Sequence, residues 1–398
     1  MKYRNFPQSQ ENISALGIGC MRFPRRGGKI DQEKTNELVA AAIDKGVNFF
    51  DTAYFYPGSE EALGIALKAC GKREEINIGT KLPHFMCKKP EDIGITFNIQ
   101  LKRLQTDYID YYFIHMLQDV DSWERLKSFG IEDWISTKKA EGKIKKIGFS
   151  FHGSRHAFIE LLDAYNWEFC MVQYNYFDEH NQAGASGVRR AFEKGIPVFA
   201  MEPLRGGLLA SELPQKAKTI FQNAKPQNTP AWWALQWLWN QPEVTMALSG
   251  MSTIEELEEN CAASDDCHDD LLNDDNKNIY KEVISTISKA YKIPCTSCGY
   301  CLPCPKGVDI PSCFFAYNES YALGWVSGVT NYVRGSSFMA NSPTDASNCT
   351  SCGVCEKNCP QNIPIARELK KVSRRMASFI IKPIMSIAKK VMKIREER

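Results

Sequence analysis

The sequence predicts an α/β protein: a (β/α)8 TIM barrel followed by a smaller, mainly α domain that ends in a helix. Three observations predict it. Eight short apolar runs suited to buried parallel strands alternate with stretches of helical period as far as Asp265. No Gly-x-Gly-x-x-Gly follows any of these strands, and Gly17-Ile18-Gly19-Cys20 is too short for that fingerprint, which argues against a doubly wound sheet. Beyond Asp265 the alternation stops, and two dense cysteine runs take over.

In chain order, Lys2–Phe6 and Asn12–Leu16 read as a hairpin able to cap the barrel bottom. The strands follow at Ala15–Cys20, Val47–Phe50, Ile76–Thr80, Tyr108–His115, Ile144–Ser150, Phe169–Tyr174, Pro197–Met201 and Val244–Ser249. Amphipathic stretches separate them. Glu60–Cys70 places Ala62, Leu63, Ala66 and Leu67 on one face, and Glu91–Leu104 does the same with Ile93, Phe97, Leu101 and Leu104. Eight such units close most simply into a barrel. The polar runs Asp265–Asp270 and Asn273–Asn278 read as a boundary or surface turns. His268 among its aspartates is read as part of that exposed boundary, with metal binding as the alternative. Ile279–Tyr291 is then helical, and the aromatic-rich segment Ile310–Asp345 implies a packed insert. The resulting domains are 1–275, 276–366 and a basic amphipathic tail, 367–398.

At 398 residues and 43% hydrophobic, the chain can bury more than one core. Met1–Pro7 has no apolar stretch of signal-peptide type and no apolar run is long enough to span a bilayer, so the cytoplasm is the expected compartment. Seven of the fifteen cysteines (Cys20, Cys70, Cys87, Cys170, Cys261, Cys267, Cys313) are scattered without pairing logic, which suits a reducing environment. The net charge of +2 hides an uneven distribution: eleven Lys/Arg against three Glu lie from Arg367 to Arg398. There Met376, Ile380, Ile384, Ile387, Val391 and Ile394 recur at helical spacing, interrupted at Pro383. Such a helix packs on its own domain with a solvated basic face, or docks on an acidic partner or anionic membrane. Basic residues confined to one tail, without stacking aromatics, argue against nucleic-acid binding.

The cysteine runs are Cys295-Thr-Ser-Cys298-Gly-Tyr-Cys301-Leu-Pro-Cys304-Pro305 and Cys349-Thr-Ser-Cys352-Gly-Val-Cys355-Glu-Lys-Asn-Cys359-Pro360. Three cysteines spaced C-x2-C-x2-C wrap one face of an iron–sulfur cube, and a fourth followed by proline serves the other cluster. This assigns Cys295, Cys298, Cys301 and Cys359 to one 4Fe-4S cluster and Cys349, Cys352, Cys355 and Cys304 to a second. The first run separates its last two cysteines by two residues rather than three. Zinc seldom takes four cysteines in so tight a run.

Barrel enzymes carry their chemistry at strand C-terminal ends. Here the second candidate strand leads into Asp51-Thr-Ala-Tyr-Phe-Tyr56, the third ends in Thr80-Lys81 and the fourth in His115. A tyrosine donates a proton well only when a nearby cation stabilises its phenolate; a lysine does this while a carboxylate holds the lysine. Asp51, Tyr56 and Lys81 make such a set, with His115 placed to orient a substrate oxygen.

Through Gly46–Glu60, Thr80-Lys81 and Asp110–His115, the chain resembles the aldo-keto reductase family from about Lys2 to Cys261. The resemblance implies Tyr56 as acid, Lys81 and Asp51 as its tuners and His115 as orienting residue. It also implies a nicotinamide dinucleotide at Ile147–Ser150, Val172–Asn175, Met201–Gly207 and Leu248–Thr253. Ser150 and Gln173 would hold the carboxamide, with Met201, Leu204 and Gly250 nearby, and Glu259 and Asn260 the adenine. Phe151 stands where the family commonly has an amide, and Met201 where an aromatic often stacks on nicotinamide. NAD(H) is expected ahead of NADP(H), because Gly250–Glu256 carries no basic residue and Glu255 and Glu256 would repel a 2′-phosphate. A reductase barrel followed by two such runs resembles the prokaryotic iron–sulfur branch of this family.

The expected function is a nicotinamide-dependent carbonyl/alcohol oxidoreductase fused to an electron-transfer module. The alternative is an electron carrier or redox sensor whose barrel is a nucleotide-binding platform. A hydride moves two electrons and each cluster one, so coupling them calls for a flavin, bound here or on a flavoprotein partner.

Overall fold

A computed structural model describes residues 1–5, 12–153, 155–266, 271–322, 324–333 and 344–376. Eight parallel strands close into a barrel in chain order: β1 (Leu16–Gly19), β2 (Phe49–Asp51), β3 (Asn77–Leu82), β4 (Ile109–Leu117), β5 (Ile144–Phe151), β6 (Phe169–Gln173), β7 (Val198–Met201) and β8 (Val244–Ser249). Each falls on an expected run. Strands covered on both faces have no need to alternate polar and apolar residues, and β4 is buried at every position. A two-stranded hairpin, Tyr3–Asn5 with Asn12–Ser14, precedes the barrel. It is fastened beside the start of β2, where Ser14 N donates to Asn48 Oδ1 at 2.8 Å.

The barrel interior explains why the strands close. Phe49, Tyr111, Phe113, Phe169, Met246 and Leu248 project inward from even-numbered strands. Gly17, Gly79 and Gly148 on odd-numbered strands leave them room: a Cβ at Gly79 would stand 3.0 Å from both Phe49 and Phe113. Contributions from alternate strands are the way such barrels fill their centres. The rings meet edge-on, as in Phe113–Phe169 at 4.7 Å, or stacked, as in Phe169–Phe199 at 5.4 Å.

Between the strands run α1 (Gln32–Asp44), α2 (Ser59–Cys70), α3 (Glu91–Leu104), α4 (Val120–Ser128), α5 (Ile131–Ala140), α6 (Arg155–Ala164), α7 (Gly184–Glu193), α8 (Gln215–Asn223) and α9 (Pro230–Trp239), with α10 (Ile254–Asp265) after β8. Asp31, Asp119, Thr229 and Thr253 cap α1, α4, α9 and α10 by accepting backbone N–H bonds.

The chain divides into two compact units. One comprises 1–205, 209–211 and 228–277; the other takes 206–208, 212–227 and, of the described residues, those from 278 onward. The segment bearing α8 therefore joins the second unit although it lies between two barrel strands in sequence, and Phe221 meets Tyr280 there at 6.2 Å. Helix α11 (Asp274–Ala290) begins before the expected Ile279, because Asn273 Oδ1 accepts from Asn276 N and the polar run starts a helix instead of a turn. After it come α12 (Ile310–Ala322), α13 (Trp325–Val333), α14 (Val354–Lys357) and α15 (Ile365–Met376). Of the aromatic segment, Phe314, Tyr317 and Tyr332 are buried while Tyr321 and Trp325 are exposed, so its described part is packed only in part, and Phe338 lies outside the described residues. Helix α15 buries Ile365, Leu369, Val372 and Met376, and leaves Arg367, Lys370, Lys371 and Arg374 exposed. The remainder of the tail, including Ile380, Pro383, Ile384, Ile387, Val391 and Ile394, lies outside the described residues, as do Cys267 and His268. No helix among the described residues is long and apolar enough to cross a membrane.

Candidate functional site

Asp51, Lys81, His115, Ser150, Gln173 and Met201 stand at or within two residues of the C-terminal ends of β2 to β7. Parallel strands all end at one rim, so residues far apart in sequence converge there. Lys81 Nζ donates to Asp51 Oδ1 and, at 2.8 Å, to the Thr52 carbonyl. Both partners are buried, Lys81 to 1% exposure and Asp51 to 6%. Burial lowers the lysine pKa and raises that of the aspartate; their mutual attraction opposes both shifts. The ammonium stands 5.4 Å from the Tyr56 ring centroid, and the Tyr56 and His115 rings lie edge to face at 6.1 Å. His115 is 1% exposed, and burial, then the Lys81 charge, hold its pKa well below the usual range. It is a neutral imidazole at physiological pH.

The loop bearing Tyr56 is tied down from behind by Glu60 and Thr80, which belong to the segments quoted above, and by Gln100 and Arg103, which the sequence did not single out. Buried Glu60 accepts from Thr80 Oγ1 at 2.6 Å, Gln100 Nε2 at 2.9 Å and Arg103 Nη1 at 3.2 Å. Gln100 also donates to the Lys81 carbonyl at 3.0 Å, and Arg103 lies 4.5 Å from the Tyr54 ring centroid. Phe55, Phe85 and Met86 leave an exposed apolar surface, with Phe85 packed 6.2 Å from His115.

The expected dinucleotide residues are placed unevenly. Ser150 Oγ accepts from Met116 N at 2.9 Å, which leaves its own proton to donate. Met116 holds a left-handed backbone, φ 58°, immediately after His115. Gln173 belongs to a buried network: Nε2 donates to Asp178 Oδ2 at 2.9 Å and Oε1 accepts from Gln182 at 2.9 Å. Arg205 Nε donates to the same Asp178 oxygen at 2.7 Å, and His152 Nδ1 lies 3.2 Å from Gln182 Oε1. Asp178, Gln182 and His152 had no sequence signal beyond their place after strands; Arg205 lay inside the Met201–Gly207 segment. Met201 and Leu204 are half-buried. Asn260 is buried and donates to Ser249 Oγ at 3.0 Å, whereas Glu259 faces outward from α10. Gly250 is covered by Arg22, whose side chain comes within 2.9 Å of where a Cβ would stand. A basic residue thus reaches this segment from the end of β1.

In the second unit the two cysteine runs repeat one another. Ser297 and Ser351 are left-handed, φ 55° and 59°, as are Gly299 and Gly353, and each serine N–H donates to the run's first sulfur at 3.4 Å. Burial, then the charges of Cys295, Cys298 and Cys359, push the Cys301 thiol up. Burial pushes Cys355 up to about 11, with Glu356, Cys304 and Cys349 adding to it. Cys301 thus feels Cys359 of the other run, and Cys355 feels Cys304. Among the described residues no three His, Cys, Asp or Glu converge on a single-ion site. Eight thiols in two repeated runs are the donor set that two cubes take, one thiolate at each iron.

Residues 15–275 match the aldo/keto reductase family model. The chain belongs to that family. Residues 294–363 match the 4Fe-4S dicluster domain, so this aldo-keto reductase carries an iron–sulfur module. Its relatives include aldo-keto reductase yakc of Schizosaccharomyces pombe, named with NADP(+), which is 25% identical over 294 residues, covering 64% of this chain and 84% of that protein. L-galactose dehydrogenase of Arabidopsis thaliana is 27% identical over 271 residues, covering 63% and 84%. Among solved structures, the holo form of an aldo-keto reductase from Bacillus halodurans superposes with a TM-score of 0.59 at 25% identity, covering 71% of this chain and 96% of that one.

Proposed function

We propose that this aldo-keto reductase interconverts carbonyls and alcohols by hydride exchange with a nicotinamide dinucleotide, in the cytoplasm. The observation that carries the proposal is the buried Lys81 ammonium, held by Asp51 and facing the Tyr56 ring beside a neutral His115. His115 donates to the substrate oxygen and orients it. Tyr56 transfers its proton to that oxygen as negative charge develops, and Lys81 stabilises the phenolate left behind. The dinucleotide supplies the hydride. Ser150 and Gln173 would hold its carboxamide, with Met201, Leu204 and Gly250 along its length and Glu259 and Asn260 at the adenine.

For the dinucleotide we favour NAD(H). Glu256 accepts from Ser252 N at 2.7 Å and Ser252 Oγ at 3.1 Å, which fixes a carboxylate beside the segment where a 2′-phosphate would lie. Arg22 against Gly250, and the NADP(+) in the name of the fission-yeast relative, favour NADP(H) as the second reading. Direct titration with NADH and NADPH decides between them, and an anaerobic screen of carbonyls and alcohols tests the activity itself.

Cys295, Cys298, Cys301 and Cys359 would ligate one 4Fe-4S cluster, and Cys304, Cys349, Cys352 and Cys355 the other. These supply one-electron transfer. A separate flavoprotein or other redox partner would couple that transfer to hydride chemistry, and the exposed basic face of α15 is a docking surface for it.

A further inference from the structure

The two cysteine runs share the sequence Cys-Thr-Ser-Cys-Gly-x-Cys, the same left-handed serine and glycine, and the same 3.4 Å N–H bond to the first sulfur. Their threonines differ in exposure. Thr350 is exposed, whereas Thr296 is 3% exposed and its Oγ1 has no hydrogen-bond partner among the described residues. A buried hydroxyl left unpaired costs about 1–3 kcal/mol. Such a group persists where an acceptor is to be supplied, and Thr296 lies between two of the four thiols, Cys295 and Cys298, read as ligands of one cluster.

We infer that the Thr296 hydroxyl donates a hydrogen bond to a sulfur of the cluster held by Cys295, Cys298, Cys301 and Cys359, and so raises that cluster's reduction potential above what its twin, lacking this donor, would have. The inference rests on the cluster reading above. Reduction adds one electron to the cluster and makes its sulfurs more negative, so a donor favours the reduced state. The two chemically similar runs then hold inequivalent clusters, with Thr296 contributing to the order in which they fill.

The test is an anaerobic redox titration of the full chain, followed by EPR, with iron and sulfide counted in every sample. Thr296→Val keeps the shape and removes the donor. It should retain both clusters and weaken reduction of one roughly tenfold, a fall of about 59 mV for one electron. Thr350→Val should move neither midpoint, and Thr296→Ser, which keeps a hydroxyl, should stay near wild type. Unchanged midpoints in Thr296→Val, an equal shift in Thr350→Val, or a Thr296→Ser midpoint that falls as far as Thr296→Val would overturn the inference. Loss of one cluster in Thr296→Val would overturn it too, since the hydroxyl would then be needed for assembly rather than for tuning. Wild-type protein without iron and sulfide would instead refute the cluster reading.

Discussion

Replacing Lys81 by Met separates the two tasks that the barrel gives this lysine. Methionine keeps much of the volume and removes the charge, leaving the Asp51 carboxylate, 6% exposed, without its cation. Breaking a buried ion pair from one side costs about 3–5 kcal/mol. For a barrel of this size that is on the order of 10 °C in melting temperature. Protonating Asp51 escapes part of the cost, so the destabilisation should be small in acid and grow as pH rises through the carboxyl's raised pKa. Carbonyl reduction should fall about 10²–10⁴-fold, the worth of a working general acid, because Tyr56 loses the cation 5.4 Å from its ring. The double variant Asp51→Asn/Lys81→Met replaces the stranded anion with a neutral amide and should recover most of the melting temperature without the activity. Thermal melts by circular dichroism across pH, with turnover measured on the same anaerobic samples, provide the assay. A single variant that melts within about 2 °C of wild type, or a double variant as unstable as the single, would refute the reasoning.

Three further outcomes follow from the geometry. Anaerobically prepared protein should contain about eight iron and eight sulfide, and Cys352→Ala about half as much; tightly bound zinc in their place would contradict the assignment. Burial lowers the pKa of His84 and of His152 from the usual 6.5 to about 4, so their neutral rings contribute stability that is complete above pH 6.5 and lost as pH falls through 4. The loss is roughly 3 kcal/mol for each ring, and urea unfolding at pH 7 and pH 4 should flatten accordingly in His152→Asn. NADH added anaerobically to flavin-free protein should leave both clusters oxidised by EPR, because a hydride donor and one-electron acceptors lack an intermediary; rapid reduction would remove the need for a flavoprotein.

Much of the barrel was legible because its signal is local. A buried parallel strand is a short apolar run whatever surrounds it, and a strand end such as Asp51, Lys81 or His115 is found by counting along that run. The cysteine runs were legible for the same reason. The Asp178–Arg205 pair was not, since it joins two loops through a network that exists only once β6 and β7 are side by side. Arg22 reaches Gly250 across more than two hundred residues of sequence, and Gly250–Glu256 taken alone carries no cation. Helix α8 looks like any barrel helix in its own sequence, and only packing reveals which core it joins. Thr296 and Thr350 share the sequence Cys-Thr-Ser-Cys-Gly, and nothing within it tells which of the two is buried.

Carbonyl reduction by Tyr56→Phe, measured beside dinucleotide affinity on the same anaerobic preparation, tests the role of this tyrosine most directly. Tyr56 is only half-buried, so loss of its hydroxyl should leave the fold intact. The rate should fall about 10²–10⁴-fold below wild type, with the dinucleotide dissociation constant nearly unchanged. Turnover retained in Tyr56→Phe would move the proton donor elsewhere, with Tyr54 the nearest candidate, and contradict the central claim.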